Sequence, residues 1–301
     1  MAEITRERSG ALLRKLFDIL RPHPEGMPAN KALEALAASE QLSPYEAGVY
    51  DSSGGRRFEK IVRFGTVDCV KAGWLVKHKG IWTATDAGLA AYDAFPDPAS
   101  FYKEAVRLYR QWKASQSGQE AAAVIETADE ATSDEDKLVT VTLEQAEEQA
   151  WAEIEQYLHG MPPYDFQNLV ADLLRAMGHY VGWISPRGKD GGVDIVATPD
   201  PLGIQSPRIK VQVKRLGTRV DVDNVRAFAG VVGDVDVGIF VSTGGFTRDA
   251  ETYARNQERK KVTLIDLEQL VDLWIKFYGK LDDKGRARFP LTPIYFLAAG
   301  A

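Results

Sequence analysis

Residues 188–215 read "GKDGGVDIVATPDPLGIQSPRIKVQVKR", two short apolar runs around a loop rich in proline and glycine. Each run carries polar residues where a buried strand should exclude them. Asp194 interrupts Gly-Val-x-Ile-Val, and Gln212 and Lys214 alternate with Val211 and Val213. Side chains on a strand alternate faces, so Gln212 and Lys214 share one face and the valines take the other. If "GVDIVAT" and "RIKVQVKR" pair as neighbours, Asp194 reaches the same end of the sheet. A carboxylate, an amide oxygen and an ammonium then meet. Such a group can hold a hard divalent cation through its oxygens, Mg²⁺ first, and leaves the lysine beside the ion's water. A carboxylate, a metal and a lysine together suit phosphodiester hydrolysis. The spacing alone is equally compatible with a strand-edge acid and an edge-strand gatekeeper lysine.

Working outward, the flanking segments alternate helix and strand. "YDFQNLVADLLRAMG" carries Phe166, Leu169, Val170, Leu173, Leu174 and Met177 as a helical stripe stopped by Gly178. "YVGWI" reads as a strand before the two runs above. "VDNVRAFAGVV" is a helix, "VDVGIFVST" a strand of the buried type, "TRDAETYARNQERK" a helix, "VTLID" a strand and "LEQLVDLWIKFYG" a closing helix. The order is αβββαβαβα, an α/β domain over 151–301 with a central sheet flanked by helices.

The chain has 301 residues, 45% of them hydrophobic, enough for two domains with real cores. Its one cysteine, Cys69, excludes an internal disulfide framework and a multi-thiolate zinc site. No apolar run has the length of a membrane span, and "MAEITRERSG" lacks a signal-peptide core, so a cytoplasmic protein without a membrane partner is expected. The net charge of −6 is unevenly spread: +3 over 1–115, −9 over 116–150 and zero over 151–301. The acidic middle, beginning "SQSGQEAAAVIETADEATSDEDKL", reads as a flexible linker between neutral-to-basic domains, so the overall charge is no objection to DNA.

Residues 1–115 read as a mainly α winged helix-turn-helix. Helices are expected over 10–20 and 30–38, with another starting at Ser43-Pro44. A further helix from about Arg56 carries Phe58, Ile61, Val62 and Cys69 on one side and Arg56, Lys60 and Arg63 on the other. "WLVKHKGIWTAT" then reads as a β-hairpin with a cationic turn, Lys77-His78-Lys79-Gly80. The basic helix would enter the major groove and the hairpin tip would touch phosphates, with Arg56, Arg57, Lys60, Arg63, Lys77 and Lys79 as the DNA-binding set. A winged helix used for protein contacts is the alternative.

The segment "YDFQNLVADLLRAMGHYVGWISPRGKDGGVDIVATPD…IKVQVKR" resembles the catalytic domain of Mrr-like restriction endonucleases, members of the PD-(D/E)xK nuclease superfamily whose third motif is QxK. "VGIFVSTGGFTRDAETYA" and "FPLTPIYFL" are similar to later parts of that domain, and "RFEKIVRFGTVDCVKAGWLVK…GIWTATDAG" resembles the winged helix that precedes it. The resemblance covers nearly all but the linker. It implies a restriction-endonuclease-like fold with a mixed sheet. It makes Asp194 the metal-binding aspartate, Gln212 an amide ligand in the usual place of a second acid, and Lys214 the residue that orients water or offsets phosphate charge. Mg²⁺ is the implied cofactor, with Mn²⁺ as a substitute. Asp190 matches the first aspartate of the DGGxD stretch and is assigned a structural role; Gly191 and Gly192 would let the backbone turn and approach closely.

Family members carry Phe-Glu where this chain has Phe166-Gln167. Gln167 can still meet the metal's water but brings no charge, which leaves Asp194 as the sole ligand carboxylate and metal binding dependent on DNA phosphate oxygens. Asp165 is read as a helix cap and Thr247 as another, and His159, His179, Trp151, Trp183 and Trp274 as packing or structural residues. Lys189 and Arg215, with Arg187, flank the site as DNA contacts. The implied function is a Mg²⁺-dependent endonuclease acting on double-stranded, modified (especially methylated) DNA in restriction or phage defence, as a homodimer or larger assembly. Two alternatives stand beside it: a DNA-binding or regulatory protein whose nuclease chemistry is weak or lost, and a nuclease triggered by oligomerisation or a partner.

Overall fold

The computed structural model describes residues 4–50, 55–116, 130–186, 191–257 and 260–296. The chain divides into two compact units, one running from the N-terminus to Ala152 and one spanning Glu153–Ile294. No described helix is long and apolar enough to cross a membrane.

The first unit contains α1 (Arg6–Leu20), β1 (Met27–Pro28), α2 (Ala29–Ser39), α3 (Arg57–Lys71), β2 (Leu75–His78), β3 (Ile81–Ala84), α4 (Asp86–Ala94), α5 (Pro98–Gln116) and most of α6 (Glu130–Gly160). The Thr5 hydroxyl caps α1 by accepting the Arg8 N–H at 3.1 Å. Leu12, Leu13, Leu16, Phe17 and Leu20 recur at helical spacing and are buried against Leu33, Leu36, Phe58 and Phe101. Phe101 meets Phe17 edge-on at 5.5 Å and lies 4.9 Å from Trp74, which ties α1, α5 and the start of β2 together.

The hairpin forms as expected, but its turn is tighter. His78 pairs with Ile81, so the turn residues are Lys79 and Gly80, both at positive φ (47° and 78°). Lys77 is a strand residue opposite Trp82 and is not at the tip. The helix expected from Ser43-Pro44 is instead a single turn. The Ser43 N–H reaches Glu46 Oε2 at 2.7 Å, the Glu46 N–H returns to the Ser43 hydroxyl at 3.2 Å, and Arg8 claims the remaining reach of Glu46 at 2.8 Å. Gly48 and the isolated β-bridge from Val49 to Arg56 follow, so the segment serves to hold the start of α3.

The flexible linker expected over 116–150 is corrected from residue 130 on, where α6 begins. The helix was hidden because its contact face is not apolar. Lys137, Val141, Glu144 and Glu148 recur at four, seven and eleven residues and so share one face. Val141 is buried with Val67 and Tyr109, while Lys137 meets Asp68 at 2.8 Å, Glu144 meets Lys77 at 2.6 Å and Glu148 meets Arg63 at 2.7 Å.

The second unit contains α7 (Pro163–Ala176), β4 (Tyr180–Ile184), β5 (Ile195–Thr198), β6 (Ile209–Lys214), α8 (Val222–Val231), β7 (Val237–Ser242), α9 (Arg248–Arg255), β8 (Lys261–Ile265), α10 (Leu267–Phe277), a short 3₁₀ turn (Tyr278–Lys280) and α11 (Asp283–Arg288). From α7 to α10 this is the αβββαβαβα order read from the sequence. The five strands lie in the order β4-β5-β6-β7-β8; β4, β5 and β6 run antiparallel, and β6, β7 and β8 parallel. α7 and α10 cover one face of this mixed sheet and α8 and α9 the other. On the α8 side, Phe240 packs edge-on to Phe228 at 5.3 Å and to Phe246 at 5.6 Å. Trp274 is fully buried as expected, but Trp183, read as a packing residue, is 43% exposed on the edge strand β4.

Two loops at the carboxyl end of β6 and β7 are locked together. Val220 N–H donates to Gly245 O at 2.9 Å, Thr247 N–H donates to Val220 O at 3.0 Å, and the Thr243 hydroxyl bridges both backbone groups of Leu216. A Cβ on Gly244 would stand 2.1 Å from Thr218 O, so no side chain fits there. Gly244→Ala is therefore expected to cost roughly 1–3 kcal/mol through overpacking, read as a lowered midpoint in thermal or urea melts.

Candidate active site

The antiparallel pairing of β5 with β6 ends at Ile195↔Val211. Just before that point the chain passes Gly191 and Gly192, at φ 62° and 82°, a left-handed pair that side chains would strain. Among the described residues nothing lies within 4 Å of a Cβ built on either glycine, and their positive φ serves the turn. Asp194 follows. Its N–H donates to Val211 O at 2.7 Å, and its side-chain Oδ2 accepts the Val213 N–H at 2.6 Å. The carboxylate thus takes the ladder bond a longer strand would have made, and it sits against the β6 backbone between Gln212 and Lys214. It is 7% exposed. A buried carboxylate needs such a donor, because desolvation otherwise favours its neutral form.

Gln212 and Lys214 lie opposite Phe240 and Ser242 in the parallel register, which places them on the α8 side of the sheet. The Lys214 ammonium donates to Asn224 Oδ1 in the first turn of α8 and lies 5.7 Å from the Phe240 ring centre. The Asp194 carboxylate thus meets β6 at Val213, between the two residues, Gln212 and Lys214, that the sequence pattern singled out.

Gln167 approaches from α7, but through its donor end. Its Nε2 donates to Ser185 O at 3.1 Å and to Asp194 O at 3.0 Å. Both partners are carbonyl oxygens, so the amide orientation is fixed by chemistry. Gln167 ties the end of β4 to the start of β5, and Ser185 N–H adds a bond to Asp194 O at 2.7 Å. Asp165, expected to cap α7, does not do so. α7 opens with Pro163 and no side-chain cap, and Asp165 pairs with Arg288 at 3.6 Å. Thr247 does cap its helix, accepting the Ala250 N–H at 3.3 Å. Among the described residues no group of three or more His, Cys, Asp or Glu forms a metal cluster.

The expected DNA contacts do not share one environment. Arg56, Arg57 and Lys60 stand at the start of α3, Arg57 4.9 Å from the Tyr45 ring, Lys60 4.8 Å from the Tyr50 ring, and Arg56 65% exposed. Arg63 and Lys77 are turned inward. Arg63 makes a two-pronged ion pair with Glu148 (3.0 and 2.7 Å), which also accepts Trp82 Nε1–H at 3.3 Å, and the Lys77 side chain is 8% exposed against Glu144. Burial pulls the Lys77 ammonium below its usual range, opposed by Glu144. Lys79 lies 4.7 Å from the Trp151 ring. Arg215 donates to His159 O and fastens the end of α6 to β6. Lys189, Arg187 and Asp190 lie outside the described residues.

Two residues were missed from the sequence: Asn224, and Asp221, whose side chain caps α8. The "DVDN" stretch at 221–224 carries the capping signal, but nothing in it announces a neighbouring lysine.

The Gln167 bonds predict an asymmetric response to charge. Gln167→Glu, isosteric but without a donor when ionised, should lose about 1–3 kcal/mol at neutral pH, because two buried carbonyls then face a carboxylate. Those carbonyls favour the protonated glutamate and raise its folded-state pKa, so the lost stability should return as pH falls below that value. Urea melts of both proteins from neutral to acid pH would check this.

Residues 158–274 match the restriction endonuclease family defined by the Mrr catalytic domain. The chain is 26% identical over 279 residues to the Type IV methyl-directed restriction enzyme EcoKMrr of Escherichia coli (strain K12), covering 85% of this chain and 88% of that protein. It also aligns with the MspJI restriction endonuclease, solved in complex with a 27-mer oligonucleotide, at a TM-score of 0.36 and 21% identity, over 48% of this chain and 35% of that one. The segment bearing Gln167, Asp194, Gln212 and Lys214 thus falls within the stretch, residues 158–274, that is similar to restriction endonuclease domains of the Mrr type.

Proposed function

We propose that the protein is a divalent-metal-dependent DNA endonuclease, with the chemistry in the second unit and DNA selection in the first. The observation that carries this reading is the Asp194 carboxylate bonded to the β6 backbone between Gln212 and Lys214. Its donor set fits an ion of the Mg²⁺ kind. Asp194 and the Gln212 amide oxygen would hold it, with water and phosphate oxygens completing a shell that Mg²⁺ commonly builds from one or two carboxylates and substrate. When bound, the ion would activate water and offset charge on the phosphate.

The residues of the chain do the rest. Lys214 presents an ammonium to the phosphate oxygens, where negative charge grows as water attacks phosphorus. The water oxygen bonds to phosphorus, the P–O3′ bond breaks, and the leaving oxygen takes a proton. Gln167 positions: it holds the backbone of Asp194 and Ser185 so that the carboxylate does not drift. In the first unit, the order of α1 to β3 with the three-stranded sheet β1-β3-β2 supports a winged helix. Arg56, Arg57 and Lys60 would then approach DNA from the start of α3, with Lys79 at the hairpin tip. Methyl-directed restriction and a role against foreign DNA follow from the resemblance and from the name of the Escherichia coli relative. Cutting both strands calls for two sites, hence a homodimer or larger assembly on DNA.

One observation favours a triggered nuclease. Glu144 and Glu148 of α6 occupy Arg63 and Lys77, cations expected to serve DNA. In this second reading α6 must leave before the first unit binds fully.

Supercoiled plasmid, methylated and unmethylated, with Mg²⁺ or Mn²⁺, tests the first reading. Wild type should nick and linearise it, and Asp194→Ala and Lys214→Ala should lose at least about a hundredfold in rate while still binding DNA. Wild type that binds and cuts nothing with either metal would leave a binding protein. The second reading is decided by sign. Glu144→Gln with Glu148→Gln should raise DNA affinity roughly tenfold at low salt if α6 masks the surface; a lowered melting midpoint without that gain would make the pairs purely structural.

A further inference from the structure

Lys214 is held in an unusual way for a residue expected to meet phosphate. Its partner is not a carboxylate but the neutral amide of Asn224, and among the described residues no carboxylate lies within ion-pair distance of it. Asn224 is itself fixed. Asp221 Oδ1 accepts both the Asn224 backbone N–H at 2.9 Å and the Asn224 Nδ2 at 2.8 Å. The amide orientation follows from the chemistry of its neighbours: a carboxylate only accepts and an ammonium only donates, so Nδ2 must face Asp221 and Oδ1 must face Lys214. Asp221 in turn is anchored as the cap of α8, whose helix packs Val225 and Phe228 into the sheet beside Phe240.

We propose that Asn224, oriented by Asp221, is a positioning residue for the Lys214 ammonium; this rests on the nuclease reading above and deepens it. A lysine side chain carries several rotatable bonds and sits at the end of β6, so an unheld ammonium would sample many positions. A carboxylate at 224 would fix it but cancel the charge that the phosphate needs. A neutral oxygen fixes the ammonium through one of its three donors and leaves its charge intact. The carboxylate is kept one step back, at Asp221, where it aligns the amide. The Phe240 ring, its centre 5.7 Å from the ammonium, lies on the same side of the sheet.

The test is Asn224→Ala, which keeps the backbone bond to the Asp221 cap and so keeps the start of α8. Two readouts are taken. In cleavage of plasmid or duplex, Asn224→Ala should lower the single-turnover rate roughly tenfold to a hundredfold while DNA affinity stays within about twofold. Asn224→Ser, which restores an oxygen acceptor, should recover part of the rate. Independently of activity, the side-chain ammonium signal of Lys214 in ¹⁵N-lysine NMR, assigned with Lys214→Arg, should be protected from solvent exchange in wild type and lose that protection in Asn224→Ala. Cleavage at the wild-type rate in Asn224→Ala, or an unchanged ammonium signal, overturns the positioning role. If wild type itself cuts nothing, the nuclease reading fails, and the NMR readout alone decides whether Asn224 holds Lys214.

Discussion

The hydrogen bond from the Val213 N–H to Asp194 Oδ2 is the point on which the second unit turns. A sheet that simply continued would give that N–H a carbonyl from β5, and the strand would close over the carboxyl end of β6. Here the pairing stops at Ile195↔Val211, two left-handed glycines swing the chain aside, and a carboxylate takes the vacant donor. One bond satisfies a backbone group that could not be left unpaired and partly repays the burial of a charge. The same bond opens the edge of the sheet. It also explains why β6 tolerates Gln212 and Lys214: their face looks toward α8 where antiparallel pairing gives way to parallel, at the strand ends where α/β sheets leave a crevice.

Most of the second unit was legible because each element carries a single dominant period. The α7 stripe of Phe166, Leu169, Val170, Leu173 and Leu174 and the unbroken apolar run of β7 leave little choice. The polar alternation in β6 singled out the candidate site residues Gln212 and Lys214. What could not be read was which atom of a side chain would be used. Gln167 was found at the right place, but its role depends on two carbonyls, of Ser185 and Asp194, that come together only after folding. Asn224 was invisible for a related reason, since its partner is ten positions away in sequence and meets it only when α8 packs on the sheet. In the first unit the failures share one cause. α6 and the inward-facing Arg63 and Lys77 are joined by a stripe of charge pairs, and a search for apolar periodicity does not register a face made of Lys137, Glu144 and Glu148 around one valine.

The replacement of glutamate by Gln167 looks like a loss when only charge is counted. The bonds suggest a different trade. An ionised glutamate accepts but cannot donate, whereas the amide fastens β4 to β5 at the residue that bears the carboxylate. Mechanical definition is gained where charge is given up. With Gln212 also neutral, Asp194 would be the one carboxylate in the described part of the proposed site, and its attraction for a cation would be modest until phosphate oxygens arrive.

Both units therefore meet the same electrostatic constraint by different means. In the first, Arg63 and Lys77 are buried cations, and each would be costly to leave unpaired. Their carboxylate partners on α6 are what make that burial tolerable. A phosphate backbone could replace those carboxylates because it offers the same charge and the same acceptor geometry for a guanidinium. In the second, Lys214 is exempt from a carboxylate partner because Asn224 fixes its place without neutralising it. Cations matched by carboxylates bind nucleic acid only by exchange of partners, while a cation held by a neutral amide is ready for phosphate as it stands. On the proposed reading the chain would separate a surface that DNA must compete for from an ammonium that needs no such competition.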